Sequence, residues 1–392
     1  MNDFNFYSPT KYIFGRDAQK QAGKMSSEFL GRRILLVFGK NSVKESGLLS
    51  EVESLLKEEG ISFYEFGGIK PNPTDGPVRL GIDLCRREEI SGILALGGGS
   101  VIDTAKAIAA GVPYEGDFWD FYSGKASPST ALPIGVILTI PAAGSEGSGN
   151  SVITREEDLR KVSIRTEFVL RPKFALMNPE LTFTLPAYQT ACGIVDMMAH
   201  ILERYFTPTT GTEVSDGISE GLLKAIIMEA PIVMKEPRNY DARANIMWAG
   251  TLAHNGICGC GKAEDWASHG LEHEISALYD VAHGAGLSVI LLAYMRVMRN
   301  LKPERIAMLG RNVWNLKAET ETDAANKAID KFESFFREIR MPVTFEELGV
   351  KDPDIELLVK RVHETKGNPF GAYYPVTPEI SEAIYRLALN PE

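Results

Sequence analysis

Five of the six histidines in this 392-residue chain fall between positions 200 and 283, and four of them, with Asp196, stand where metal ligands could. Asp196 and His200 stand four residues apart, which on a helix puts a carboxylate and an imidazole on one face. His269 and His273 repeat the interval. His283 precedes Gly284-Ala285-Gly286, where glycines let a neighbouring backbone come close. One carboxylate with three imidazoles suits a divalent first-row metal, zinc or ferrous iron. It is not the all-oxygen set of magnesium or calcium. His254 and His363 have no partner at ligand spacing and read as structural. Cys258-Gly259-Cys260 leaves one residue between thiols rather than two, and reads as a pair of small buried hydrophobes.

A second kind of chemistry is written earlier in the chain. Leu96-Gly97-Gly98-Gly99-Ser100-Val101-Ile102-Asp103 stands where an apolar strand hands over to a helix. Consecutive glycines let the backbone approach a bulky ligand, and the free N–H groups of the helix start suit a pyrophosphate. Ser100 adds a hydroxyl donor. Asp103, in the first turn, favours the helix dipole and can hydrogen-bond a nucleotide hydroxyl. The run is neither Gly-x-Gly-x-x-Gly nor a Walker loop. Thr139-Ile140-Pro141-Ala142-Ala143-Gly144-Ser145-Glu146-Gly147-Ser148-Gly149 again follows a strand, and its small and hydroxyl side chains suit a loop lying over a flat ligand.

The elements that must position these residues divide the chain in two. From Arg33 to about Thr139, β-branched runs (Ile34–Phe38, Ser62–Phe66, Ile93–Leu96, Ile134–Thr139) alternate with amphipathic stretches (Val43–Glu59, Val78–Arg87, Val101–Ala110). Fully apolar strands alternating with helices predict a Rossmann-like parallel sheet covered on both faces, with ligands at the carboxyl ends of its strands. From Pro186 the pattern turns helical: Pro186–Phe206, Val214–Met234, Pro237–Asn255 and Ala324–Glu338. The expectation is an α/β dinucleotide-binding domain over residues 1–185 and an all-α metal-binding domain over 186–392.

Composition removes several classes. With 42 basic against 52 acidic residues, net −10, and no Lys/Arg block, the chain offers a nucleic-acid backbone nothing. No apolar run approaches the roughly 18–20 residues of a spanning helix. Four cysteines make no disulfide framework. The first seven residues carry neither a basic nor an apolar signal region, so the expected location is the cytoplasm.

Taken in order and spacing, these pieces resemble the iron-containing (group III) alcohol dehydrogenase family, butanol dehydrogenase-type branch, over nearly the whole chain. They run from Phe14-Gly15 through Gly97-Gly98-Gly99-Ser100-x-x-Asp103-x-x-Lys106, Pro141–Glu146, Asn178-Pro179-Glu180-Leu181, Asp196-x-x-x-His200 and Asp265-Trp266-Ala267-Ser268-His269 to His283-Gly284-Ala285-Gly286. The resemblance implies the dehydroquinate synthase-like fold of that family. It implies Asp196, His200, His269 and His283 as metal ligands, and His273 as a cleft residue able to relay a proton. The implied reaction is reversible hydride transfer between a nicotinamide cofactor and a small primary alcohol or aldehyde, butanol or butyraldehyde for example.

Asn72, Thr139, Ala143, Ser145, Ser148, Lys161 and Leu181 join the expected cofactor contacts. Where NAD-preferring relatives tend to carry an aspartate after the first strand, this chain has Gly39, with Lys40, Ser42 and Lys44 nearby, which fits NADP(H) better than NAD(H). The resemblance also implies a homodimer, and the β-prone Phe4–Ile13 stretch is a candidate to pair across it. Two further readings share these features: a polyol dehydrogenase or sugar-phosphate cyclase of the same fold, and a metal-dependent hydrolase using Glu264, Asp265 or Glu272 as base.

Overall fold

Six strands pair edge to edge, all parallel, in the order β1-β8-β5-β4-β2-β3. They are β1 (Lys11–Phe14), β2 (Arg33–Phe38), β3 (Ser62–Phe66), β4 (Gly92–Gly97), β5 (Ile134–Leu138) and β8 (Phe174–Met177). This computed structural model describes residues 1–391. β4, β5 and β8 are buried along their whole length, as a parallel sheet covered on both faces demands. The register sets Leu36 opposite Leu94 and Ala95 opposite Val136.

Four helices of eight residues or more accompany the sheet: α1 (Ala22–Phe29), α2 (Leu48–Glu58), α3 (Asp75–Arg87) and α4 (Gly99–Gly111). The single helix expected over Val43–Glu59 is instead a short turn, Ser42–Glu45, followed by α2. Gly47, at φ +79°, makes the break, a conformation that costs glycine little. The sequence pattern also missed an antiparallel hairpin, β6 (Asn150–Arg155) with β7 (Arg160–Arg165). Its charged turn, Glu156-Glu157-Asp158, hid the weak alternation of the strands.

The second compact unit begins at Pro186. Its first five long helices are α5 (Ala187–Tyr205), α6 (Glu213–Lys235), α7 (Tyr240–His254), α8 (Ala267–Tyr279) and α9 (His283–Leu301). The helix expected from Pro237 starts later, at the Asn239 cap, whose side chain accepts the Ala242 amide at 3.1 Å. From Thr190 to Tyr205 α5 is buried on every side, the mark of a helix at the centre of a bundle.

Met1–Phe6, expected with the α/β domain, belong instead to the helical unit. The Met1 amino group donates to the Thr210 carbonyl at 2.6 Å and the Asn2 amide to that of Gly261 at 2.9 Å. The Phe4–Ile13 stretch is likewise mostly not strand: only Lys11–Phe14 is extended in a ladder, against β8 of its own chain. Among the described residues, no helix is long and apolar enough to cross a membrane.

Candidate functional site

α5 carries Asp196, His200 and Glu203 at intervals of four and three, so all three share a face of a fully buried helix. α8 brings His269 to the same face and the first residue of α9 is His283. Asp196 Oδ1 lies 3.3 Å from His200 Nδ1 and 3.9 Å from Nε2 of both His269 and His283. Neighbouring rings are close: His200 to His269, 4.6 Å between centroids, and His269 to His283, 5.2 Å. His273 is buried too, its centroid 5.4 Å from that of His283.

Two carboxylates hold the outer side of these rings: Glu203, which the sequence reading missed, and Glu272, which it named only as a possible hydrolase base. Glu203 accepts a hydrogen bond from His269 Nδ1, and Glu272 accepts one from His283 Nδ1. Each leaves Nε2 directed inward, the arrangement that fixes tautomer and ring angle in carboxylate–histidine–metal sites. The spacing Asp196, His200, Glu203 was the available signal for the first. Gly286 makes room for the second, and Gly284 for the backbone of α5. A Cβ at Gly286 would stand 2.5 Å from Glu272 Oε1, and one at Gly284 would strike the Cys192 carbonyl at 2.1 Å.

Behind His200 lies a further assembly. His254, read from sequence as structural, lies tilted against the His200 ring, 4.0 Å between centroids, and its Nδ1 accepts a hydrogen bond from Arg204 Nη2 at 3.0 Å. Arg204 also donates to the His200 carbonyl at 2.8 Å and lies over the Trp266 ring at 4.6 Å. Trp266 takes φ +61°, a strained conformation for a bulky side chain, and edges against His200, His254 and His269. Burial, with His254 and His269 beside it, pushes the His200 ring well below its ordinary pKa, so it stays neutral with a lone pair available.

The expected cofactor residues all fall in the α/β unit. Gly39, Lys40 and Ser42 follow β2, Asn72 follows β3, and Gly97, Gly98, Gly99, Ser100 and Asp103 run from the end of β4 into α4. Thr139, Ala143, Ser145 and Ser148 follow β5, and Leu181 follows β8. Together they line the carboxyl ends of five parallel strands, where such sheets bind ligands. Lys161, on β7, donates to Asn72 Oδ1 at 3.1 Å. Asp103, Ser145 and Ser148 turn their polar atoms into the protein: Asp103 accepts from Ser145 Oγ at 2.7 Å and from the Val152 amide at 3.1 Å.

Two family models cover the chain: "Iron-containing alcohol dehydrogenase" over residues 9–179, and the C-terminal model of the same family over residues 190–389. The chain belongs to the iron-containing alcohol dehydrogenase family. It is 38% identical over 392 residues to a probable NADH-dependent butanol dehydrogenase 2 of Bacillus subtilis, covering 99% of this chain and 100% of that one. It is 35% identical to an NADPH-dependent aldehyde reductase of Escherichia coli, covering 99% and 100% respectively. The crystal structure of an NADH-dependent butanol dehydrogenase A from Thermotoga maritima superposes with a TM-score of 0.95 at 35% identity, over 100% of this chain and 99% of that one. This iron-containing alcohol dehydrogenase is thus an NAD(P)-dependent oxidoreductase, an alcohol dehydrogenase or aldehyde reductase.

The residues present fit the divalent metal that the family name implies. His200 Nδ1 and His269 Nε2 are buried with no hydrogen-bond partner, and both border Asp196 Oδ1. Imidazole and carboxylate donors without thiolate suit iron or zinc. The residues that a cyclase or hydrolase of this shape would need are engaged elsewhere. Lys262 is paired with Asp216 at 2.7 Å, and Arg204 with Glu264 at 3.2 Å. Asp265 accepts from Tyr294 Oη and the amides of Ala372 and Tyr373 at 2.7–2.8 Å, while burial pushes its pKa up to about 6.

Proposed function

We propose that this enzyme prefers NADP(H), acts on small primary alcohols and aldehydes such as butanol and butyraldehyde, and holds one divalent ion, Fe2+ or Zn2+, on Asp196, His200, His269 and His283. The observation that carries this reading is the convergence of Asp196 Oδ1 with three imidazole nitrogens at 3.3–3.9 Å. A divalent ion held there supplies Lewis acidity that polarises the substrate's oxygen.

The chain's own residues supply the remainder. Glu203 and Glu272 keep the His269 and His283 rings oriented. His273, buried beside His283, would hold the proton that the substrate oxygen takes up on aldehyde reduction and releases on alcohol oxidation, while a bound nicotinamide would supply or accept the hydride. Gly97–Gly99 and the start of α4 bind the cofactor's pyrophosphate. The relatives named for butanol and for aldehyde reduction support the substrate class.

The cofactor preference rests on the end of β2. Gly39 offers no carboxylate to repel a 2′-phosphate, and Lys40 and Ser42 are exposed beside it. Lys44 contributes less, since it turns to Glu65 at 3.5 Å. A cytoplasmic homodimer completes the reading. It is supported by four unpaired cysteines, and by β1, a sheet edge open on its outer side. Initial rates with butyraldehyde and each cofactor test the proposal. We expect kcat/KM to be higher with NADPH; equal or higher values with NADH overturn the preference, and consumption of neither overturns the hydride-transfer reading.

A further inference from the structure

Lys106 on α4 is fully buried. An ammonium stripped of water is costly unless oxygens replace its hydration shell, and here the replacement comes from the loop after β5. Nζ donates to the carbonyls of Ser145 (2.7 Å), Ser148 (2.9 Å) and Asn150 (2.8 Å), and to Ser145 Oγ (2.8 Å). These carbonyls stand at a 3₁₀ turn, the loop and the first residue of β6, and one cation satisfies all three. One turn earlier on α4, Asp103 accepts from Ser145 Oγ and the Val152 amide. Arg171 adds a hydrogen bond to the Gly147 carbonyl.

The same loop lies against the glycine turn. A Cβ on Gly98 would stand 2.7 Å from Ile140, and one on Gly99 would stand 3.5 Å from Ala143. The register between the two loops therefore depends on what fastens the second one to α4.

We propose that Lys106 is a positioning residue that locks the 139–149 loop against the Gly97–Ser100 turn, and that Asp103, Ser145 and Ser148 belong to this lock rather than to the cofactor's contacts. The proposal rests on the cofactor reading given above. With four oxygens within 2.9 Å of Nζ for its three N–H bonds, Lys106 has no donor left for a phosphate. Its effect passes through the loop, whose small and hydroxyl side chains suit the flat nicotinamide ring, and not through the pyrophosphate.

Fluorescence titration with NADPH and with 2′-phospho-ADP-ribose, which lacks the nicotinamide ring, separates the alternatives. Lys106→Met orphans three loop carbonyls, so we expect NADPH affinity to fall roughly tenfold or more while the fragment changes by less than about threefold. Ser145→Ala, which keeps the ammonium, shifts the same ratio in the same direction by a smaller factor, and reads the proposal if Lys106→Met does not fold. Equal losses for both ligands overturn the lock in favour of a phosphate contact. Unchanged affinities for both ligands with a lowered Tm overturn it in favour of a purely structural lysine. Wild-type protein that binds neither NADPH nor NADH overturns the cofactor reading and the lock with it.

Discussion

Glu203 grips His269 at two points: one carboxylate oxygen accepts the backbone amide at 2.9 Å, and the other accepts the hydrogen bond of ring Nδ1. The two residues are 66 positions apart, so α5 sets both the start of α8 and the angle of the proposed ligand's ring. Glu203→Gln keeps the size but can accept only one of the two bonds. We expect metal affinity to fall by roughly 10–100-fold, read by competition with a chromophoric chelator, with the Tm of the metal-stripped protein little changed. Unchanged affinity contradicts an orienting role.

A backbone substitution probes the other carboxylate. The Cβ of Gly286→Ala would lie 2.5 Å from Glu272 Oε1 and 2.8 Å from its Cγ, so the whole buried side chain must shift. The shift takes Glu272 from His283 Nδ1 while leaving the ring in place. The expected result is a folded protein with weakened metal retention on dialysis against chelator. Retention equal to wild type would mean that Glu272 does not orient His283.

Cofactor choice is testable at the end of β2. A Cβ on Gly39 meets only the Ile69 carbonyl, at 3.7 Å, an ordinary contact, so Gly39→Asp fits the fold. The added carboxylate accepts from ribose hydroxyls and repels a 2′-phosphate. The NADPH-to-NADH ratio of kcat/KM is expected to drop by about tenfold or more. A ratio that stays put assigns the preference to other residues.

The acid limb of stability has a named origin. Asp216 lies 2.7 Å from both Lys262 Nζ and Arg305 Nη1. Burial opposes its ionisation, but the hydrogen bonds of the two cations prevail and hold its carboxyl below the usual range. The unfolded chain, where aspartate titrates near pH ~3.9, binds this proton more readily. The cluster's contribution is therefore complete above that pH and lost as pH falls through the folded value. Asp216→Asn leaves the buried Lys262 ammonium uncompensated, and should cost about 3–5 kcal/mol at neutral pH. Urea unfolding at pH 7 and pH 3 reads the difference, which should shrink in acid; an equal loss at both contradicts the assignment.

Much of the scaffold was legible because its signals are local. The apolar runs of β2, β4 and β5 and the interval between Asp196 and His200 are periodicities within one element. Glu203 and Glu272 were harder to see because their partners are set by tertiary packing: a buried glutamate looks like any helical glutamate until His269 arrives beside it. His254 escaped for the same reason, since its contacts are with Arg204 and His200 on another helix. Lys106 stood in the motif Gly97–Lys106, yet its three carbonyl partners are spread over a 3₁₀ turn, a loop and the first residue of β6, with no pattern to read. The break at Gly47 and the charged hairpin β6–β7 were lost where a single glycine or polar strand faces outweigh hydrophobic periodicity.

The central claim is that hydride transfer depends on a divalent ion held by Asp196, His200, His269 and His283. Its most direct test is to strip the protein with chelator, restore ferrous iron anaerobically or zinc, and follow nicotinamide absorbance with butyraldehyde and NADPH. The account predicts no oxidation in stripped protein, recovery on metal addition, and no recovery in His269→Ala. Metal-independent oxidation of NADPH, or full activity in His269→Ala, would contradict it.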